Sequence, residues 1–240
     1  MKEIKRPSIF LFLTEAIRAL WELRKALPFI KNYEVQEVSD GHSILIIPGF
    51  MASDVSTQPL RRFLKKLGYH PCGWEMGTNL GDLNELALLE EKIDNLYKNS
   101  GQTISLIGWS LGGIYARELA KRKRDKVHQV ITMGSPFADI DAPNNAHITF
   151  RLVRWLKGFP EPDQPLLDSL PFPTPQPSLA IYSKEDGIVP WQACMEIKED
   201  ATHQNAEVKS SHFGMGVNVE VLELVAARLK TNIMVEGDLI

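Results

Sequence analysis

The sequence predicts an α/β fold: a mainly parallel, doubly wound sheet with helices on both faces, formed by a single domain over residues 1–240. Three observations predict it. Short apolar runs such as Ser43–Ile47, Val127–Met133 and Ser178–Ser183 read as buried strands. Segments with apolar residues at helical spacing lie between them, so strands and helices alternate along the chain. At 240 residues and 44% hydrophobic the chain can bury a full core, and no internal period of roughly 20–50 residues points to a repeat array.

The elements follow in order. Lys2, Lys5 and Arg6 precede the apolar run Ile9–Leu13, which breaks at Thr14 and Glu15 without a small-residue cleavage site, too short for a secretory signal. It is also too short to span a bilayer, which needs about 20 apolar residues. A cytoplasmic protein is the expectation. From Ile9 to Leu27 the pattern is amphipathic: Ile17, Leu20, Trp21 and Leu23 are apolar, while Glu15, Arg18, Glu22, Arg24 and Lys25 are polar. An N-terminal helix within residues 1–30, packed on the core, is expected; peripheral contact with a membrane surface is the second reading. Ser43–Ile47 is a strand that runs into the turn Pro48-Gly49-Phe50-Met51. Pro59–Leu67 reads as a helix, His70–Trp74 as a short strand with its loop, and Leu83–Lys98 as a helix with Leu86, Leu89, Ile93 and Leu96 inward. Thr103–Ile107 is a strand, Ile114–Lys121 a helix, and Val127–Met133 a strand ending at Gly134. Residues 137–177 hold eight prolines, too many for sheet, with a helical stretch around Ile148–Leu156. This Pro-rich insertion reads as a cap with Trp155, Phe159 and Phe172 as walls of an apolar pocket. Ser178–Ser183 and Ala206–Ser210 complete the strands, and Val217–Leu229 is a final amphipathic helix.

The chemistry concentrates at strand ends. Gly108-Trp109-Ser110-Leu111-Gly112 joins a strand to a helix, the context in which a G-x-S-x-G turn presents a serine hydroxyl above a sheet edge. In a parallel sheet, partners are sought on loops that leave other strands at their carboxyl ends. Asp186 lies just past Ser178–Ser183, with Gly187 allowing a sharp turn, and His212 follows the last strand. Glu185 precedes that turn and is read as solvent-facing; His203 precedes the last strand and is read at the opposite sheet edge. His42, His70, His128 and His147 are scattered and have no comparable context. Ser110, Asp186 and His212 therefore form the candidate catalytic set, in the chain order serine, aspartate, histidine. Two backbone N–H groups are expected to face the oxygen on which charge develops during acyl transfer: Leu111, after the serine, and Phe50, in the early loop, with Met51 the choice one register step away.

These motifs resemble the α/β-hydrolases, and among them bacterial esterases and lipases. The resemblance runs from about Ile44 to Leu229 and rests on Leu45–Ser53, Gly73–Gly81, Gly108–Gly113, Met133–Phe137, Asp186–Pro190 and Ser211-His212. It implies a Ser-His-Asp esterase mechanism without an organic cofactor. Many lipases have His-Gly in the oxyanion loop where this chain has Pro48-Gly49. Substrate contacts are sought at Met51, Trp109, Phe137, Trp155, Phe159 and Trp191.

Composition narrows the partners. A formal charge of −3 gives no general attraction to nucleic acid, and the basic run Lys121–Lys126 complements the negative end of a helix. The two cysteines, Cys72 and Cys194, form no C-x-x-C motif and fit a reduced interior, and no His/Cys/Asp/Glu cluster has zinc spacing, so no metal is expected. A small-molecule or lipid-like ester, mainly apolar on its acyl side, is the expected substrate, because no arginine cluster marks a charged acyl group. An acyltransferase or thioesterase would use the same three residues. An amidase or peptidase and a non-catalytic binding module are the remaining classes, the last least favoured because no member of the set is missing.

Overall fold

A computed structural model describes residues 4–35, 39, 41–160, 162 and 164–230; residues 1–3 of the expected N-terminal segment, 161 and 163 of the expected cap, and 231–240 of the expected domain lie outside the described residues. In chain order the elements are α1 (Ile9–Asn32), β1 (Ser43–Ile47), α2 (Gln58–Lys66), β2 (His70–Cys72), α3 (Glu85–Ser100), β3 (Ile104–Trp109), α4 (Leu111–Arg122), β4 (Val127–Met133), α5 (His147–Lys157), α6 (Gln164–Ser169), β5 (Ser178–Tyr182), β6 (His203–Glu207) and α7 (Val219–Lys230), with a 3₁₀ turn at Trp191–Cys194.

Among the described residues the strands form one six-stranded sheet in the order β2-β1-β3-β4-β5-β6, and every neighbouring pair is parallel. Both faces are covered, which explains the unbroken apolar runs. Side chains alternate across a strand. Ile44 and Ile46 of β1 pack toward Leu60, Phe63 and Leu64 of α2 and Val221, Leu222 and Val225 of α7. Leu45 and Ile47 point the other way, to Leu86, Leu89 and Ile93 of α3 and Tyr115, Ala116 and Leu119 of α4. Pro71 sits in the edge strand β2, where its missing N–H costs no ladder bond on the open side. The order reverses between β1 and β3, the switch point beyond whose carboxyl ends parallel sheets place their binding crevices.

Some boundaries differ from the sequence reading. β6 begins at His203, three residues before the expected start, because Asp200 draws this segment in by accepting the N–H groups of Thr202 and His203. Its side chains are half-buried or exposed, so the edge strand lacks the apolar signal that marks the others. Residues 137–177 contain α5 and also the short α6, which opens Gln164-Pro165, where a proline at the first turn removes no helical hydrogen bond. α1 runs on past Pro28 to Asn32. Cys72 and Cys194 are both free thiols. Among the described residues no helix is long and apolar enough to cross a membrane.

Candidate active site

Ser110 sits at the tip of the β3–α4 turn with φ 53° and ψ −121°, a conformation costly for a residue with a side chain. Close packing enforces it. A Cβ at Gly108 would overlap Gly112 and Gly113, one at Gly112 the Ile47 carbonyl, and one at Gly113 the Ser135 hydroxyl. The two flanks of the turn thus approach to a distance only glycine allows, and β1 presses on the start of α4. The fully buried Ser135 donates its hydroxyl to the Ser110 carbonyl, and Ser110 N–H donates to the Met133 carbonyl at 2.8 Å.

The turns after β5 and β6 bring the other two candidates to this serine. His212 Nε2 lies 3.0 Å from Ser110 Oγ, and His212 Nδ1 lies 2.6 Å from Asp186 Oδ2. Asp186 and His212 are nearly fully buried. The second carboxylate oxygen, Oδ1, accepts the N–H groups of Ile188 at 2.7 Å and Val189 at 2.9 Å, which fixes the plane of the carboxylate. Trp109 Nε1 donates to the His212 carbonyl at 3.1 Å, so the residue before the serine also anchors the histidine loop. Burial pushes the His212 pKa down, but the charge and hydrogen bond of Asp186, with the charge of Glu15, outweigh it and hold the imidazole above its ordinary value.

The expected anion donors lie on the two sides of the switch point. Neither Phe50 N–H nor Leu111 N–H is bonded to a backbone or side-chain acceptor among the described residues. Met51 N–H, by contrast, donates to the Asn79 carbonyl at 2.7 Å, and its residue takes a positive φ of 59°. That bond occupies the donor one register step away. The loop is shaped by fully buried Asn79, whose Nδ2 donates to the Pro48 carbonyl at 2.8 Å and whose Oδ1 accepts from Gly81 N–H at 3.1 Å.

The six expected substrate contacts separate. Met51 is exposed at the mouth of this loop. Phe137 is fully buried beneath the Arg117 guanidinium, 3.7 Å from its ring centroid, and is a core residue instead of a pocket wall. Trp109 is almost fully buried and engaged with the His212 loop. Trp191 stacks on Tyr182 with ring centroids 5.6 Å apart. Trp155 is 76% exposed, and Phe172 is exposed as well, while Phe159 is half-buried. α5 turns a different face inward: Phe150 packs edge-on against Phe50 at 5.0 Å, and Arg154, one turn later, donates to the Gly81 carbonyl at 2.9 Å. The i, i+4 pair Phe150 and Arg154 thus makes the contact expected of Trp155, because a buried arginine must be taken to a carbonyl and carries its own face of the helix with it.

His203 starts β6 at the sheet edge away from Ser110, held by Thr202 and by the Thr174 carbonyl. His42 bonds Ser105 Oγ at 2.9 Å. Three contributors escaped the sequence reading. Asn79 was inside the quoted Gly73–Gly81 motif but carried no chemical signature. Glu15 and Glu22 read as the solvated side of a helix, yet both bond the loops that hold Asp186 and His212. Their seven-residue spacing, two turns on one helix face with Ala26 beyond, was the available signal.

No protein-family model matches the chain, and no curated protein matches it. Solved structures do. The mature lipase BlEst2 of Bacillus licheniformis is 16% identical, with 82% of this chain and 96% of that chain covered and a TM-score of 0.57. The carboxylesterase CesB of Bacillus subtilis is 14% identical over 91% of this chain and 99% of that one, with a TM-score of 0.55. A thioesterase domain from the curacin biosynthetic pathway is 15% identical over 81% of this chain and 93% of its own, with a TM-score of 0.54. At these identities the likeness is one of fold: the chain has the α/β-hydrolase fold.

Proposed function

We propose that the protein is a serine hydrolase that cleaves carboxylic esters through an acyl-serine intermediate. The observation that carries this reading is the continuous hydrogen-bonded chain from Asp186 through His212 to Ser110, at 2.6 and 3.0 Å. As Ser110 Oγ attacks the ester carbonyl, His212 Nε2 takes its proton, and Asp186 stabilises the imidazolium and fixes the tautomer. The oxyanion is received by the N–H groups of Leu111 and Phe50. The imidazolium returns the proton to the departing alkoxide, which leaves as the alcohol. Water then attacks the acyl-serine with His212 again as base, releasing the acid and restoring Ser110. The acyl group is assigned to the apolar surface formed by Met51, Phe50 and the Phe150 face of α5, with residues 137–177 as its cap.

Thioesterase and acyltransferase activities use the same groups, and the solved structures of similar fold include a thioesterase domain. A panel of oxygen esters and thioesters of several acyl lengths, with and without a competing alcohol, tests the assignment. Hydrolysis of oxygen esters alone is expected; transfer of the acyl group to the alcohol in preference to water would make the protein an acyltransferase.

The pH dependence follows from the base. His212 must be neutral to take the proton, so kcat/KM rises with pH through its ionisation. Because the His212 pKa is raised, activity is lost on acidification at a pH above the ordinary imidazole value. His212→Ala removes the activity and the ascending limb with it, whereas His203→Ala leaves both in place. The reverse behaviour of the two variants sinks the assignment of the base.

The substrate also has a proposed location. Phe10, Leu13, Ile17, Leu20 and Trp21 of α1 are exposed, and the exposed residues of this helix include Arg24, Lys25 and Lys31 but no carboxylate. In a chain of charge −3 this is a local cationic and apolar face, suited to an anionic lipid surface. Co-sedimentation with vesicles containing phosphatidylglycerol is expected, and loss of it in a Leu13→Ser, Ile17→Ser, Leu20→Ser triple variant. Equal recovery of the two proteins in the pellet would remove the membrane from the proposal.

A further inference from the structure

α1 is turned the opposite way from an ordinary surface helix. Phe10, Leu13, Ile17 and Leu20 are between 68 and 71% exposed, whereas Glu15 is 1% exposed. A carboxylate is held away from water only where other donors replace the water, so the partners of the inward carboxylates matter. Glu15 Oε1 accepts Gly187 N–H at 2.8 Å, and Oε2 accepts Phe213 N–H at 3.0 Å. Gly187 follows Asp186 and Phe213 follows His212, so one carboxylate joins the two loops. Arg18 gives Glu15 a third donor at 2.7 Å and reaches the carbonyl of Glu185, the residue before Asp186, at 2.9 Å. Glu22 Oε1 accepts the N–H of Ser211, the residue before His212, at 2.8 Å, and Oε2 accepts from the Ser210 hydroxyl at 2.7 Å and from Asn218 Nδ2 at 3.2 Å. Both neighbours of Asp186 and both neighbours of His212 are therefore bonded to α1.

Two glycines fit this reading independently. Gly187 has no positive φ, so the sharp turn expected there is not what requires it. A Cβ on Gly187 would overlap the α1 backbone at Leu11 and Phe12, and one on Gly214 would overlap the Glu22 carboxylate. Each loop thus has a glycine where α1 comes too close for any side chain.

We infer that α1 is a brace for the Asp186–His212 pair, with Glu15 and Glu22 as positioning residues that hold the two loops in the register at which the pair meets. The proposed hydrolase chemistry supplies its activity readout, but the brace also has one that needs no substrate. Asp186 and Glu15 are the carboxylates whose charge acts on His212, Arg18 partly offsets Glu15, and Lys184 on the β5 loop is engaged with Glu207. Burial lowers the imidazole pKa, and the two carboxylates raise it.

The test uses the full chain with Glu15→Gln and Glu22→Gln, and Ala16→Ser, at an exposed position of α1, as control. Proton NMR follows the His212 Nδ1–H resonance and the imidazole titration, beside kcat and KM on a soluble short ester. Glu15→Gln is expected to lower the His212 midpoint, weaken the Nδ1–H resonance and reduce kcat by about 10–100-fold with little change in KM, the size of effect that a slight misplacement of reacting groups produces. Glu22→Gln, whose charge is not among those acting on His212, lowers kcat without a comparable midpoint change. Ala16→Ser moves neither. If Glu15→Gln does not fold, Glu22→Gln carries the test through kcat and the Nδ1–H resonance. Folded variants that lose only melting temperature, with His212 resonance, midpoint and kcat unchanged, overturn the brace. A wild-type protein that hydrolyses no ester, yet shows the expected His212 responses, overturns the hydrolase reading and keeps the brace.

Discussion

Ser110→Ala is expected to abolish ester hydrolysis, lowering kcat by on the order of 10⁴–10⁶-fold, while the protein stays folded. Both halves of the expectation come from the turn. The Ser110 hydroxyl stands at the tip of the β3–α4 turn and, among the described residues, bonds only His212 Nε2, so removing it leaves no other group newly unpaired. The close packing of Gly108, Gly112 and Gly113 is untouched, and so is the bond from Ser135 to the Ser110 carbonyl. Alanine keeps the unfavourable backbone conformation, so stability changes little. Labelling by a fluorophosphonate, followed by mass spectrometry, checks the same point directly: wild type is modified at Ser110 and Ser110→Ala is not modified at all. More than a tenth of wild-type activity in a variant with unchanged circular dichroism would falsify the assignment.

The sequence was most legible where burial on both faces leaves an unbroken apolar run. β1, β4 and the core of β5 were bounded to within a residue; Asp186 followed from β5, Ser110 from its glycine-flanked turn after β3 and His212 from its place after the last strand, because a parallel sheet puts all its carboxyl ends on one side. β6 was displaced because its side chains are only partly buried and its start is set by Asp200, a local hydrogen-bond acceptor without periodic signal. The cap aromatics failed for a related reason. Hydrophobicity alone chose Trp155, but the orientation of α5 is set by the polar demand of Arg154, which turns Phe150 toward Phe50. α1 inverts the usual rule altogether, because its carboxylates find backbone N–H groups that no sequence pattern announces. What periodicity cannot read is where irregular loops expose unpaired donors, and those donors organise this site.

Asp186→Asn is expected to lower kcat by about 10⁴-fold with the fold intact, and the surroundings of the carboxylate explain why so small a change acts so strongly. Aspartate accepts on both oxygens: Oδ1 from Ile188 and Val189 N–H, Oδ2 from His212 Nδ1. Asparagine has one accepting oxygen and one donating amide. Turned with its oxygen toward the two backbone N–H groups, it keeps two hydrogen bonds and presents its amide to Nδ1. That nitrogen must then accept, the proton moves to Nε2, and Nε2–H cannot take the proton of Ser110. Turned the other way, it keeps the right tautomer but sets a donor against two buried N–H groups, at a cost of about 1–3 kcal/mol for each one left unpaired. The first arrangement is therefore the favoured one, and it is the inactive tautomer. Histidine Cε1–H and ring-nitrogen resonances distinguish the two tautomers: the variant should show Nε2 protonated where the wild type shows Nδ1 protonated. A variant with wild-type tautomer and kcat within tenfold of wild type would mean that Asp186 serves only the turn after β5, and that the imidazole is oriented by its backbone anchors at Trp109 and Glu15.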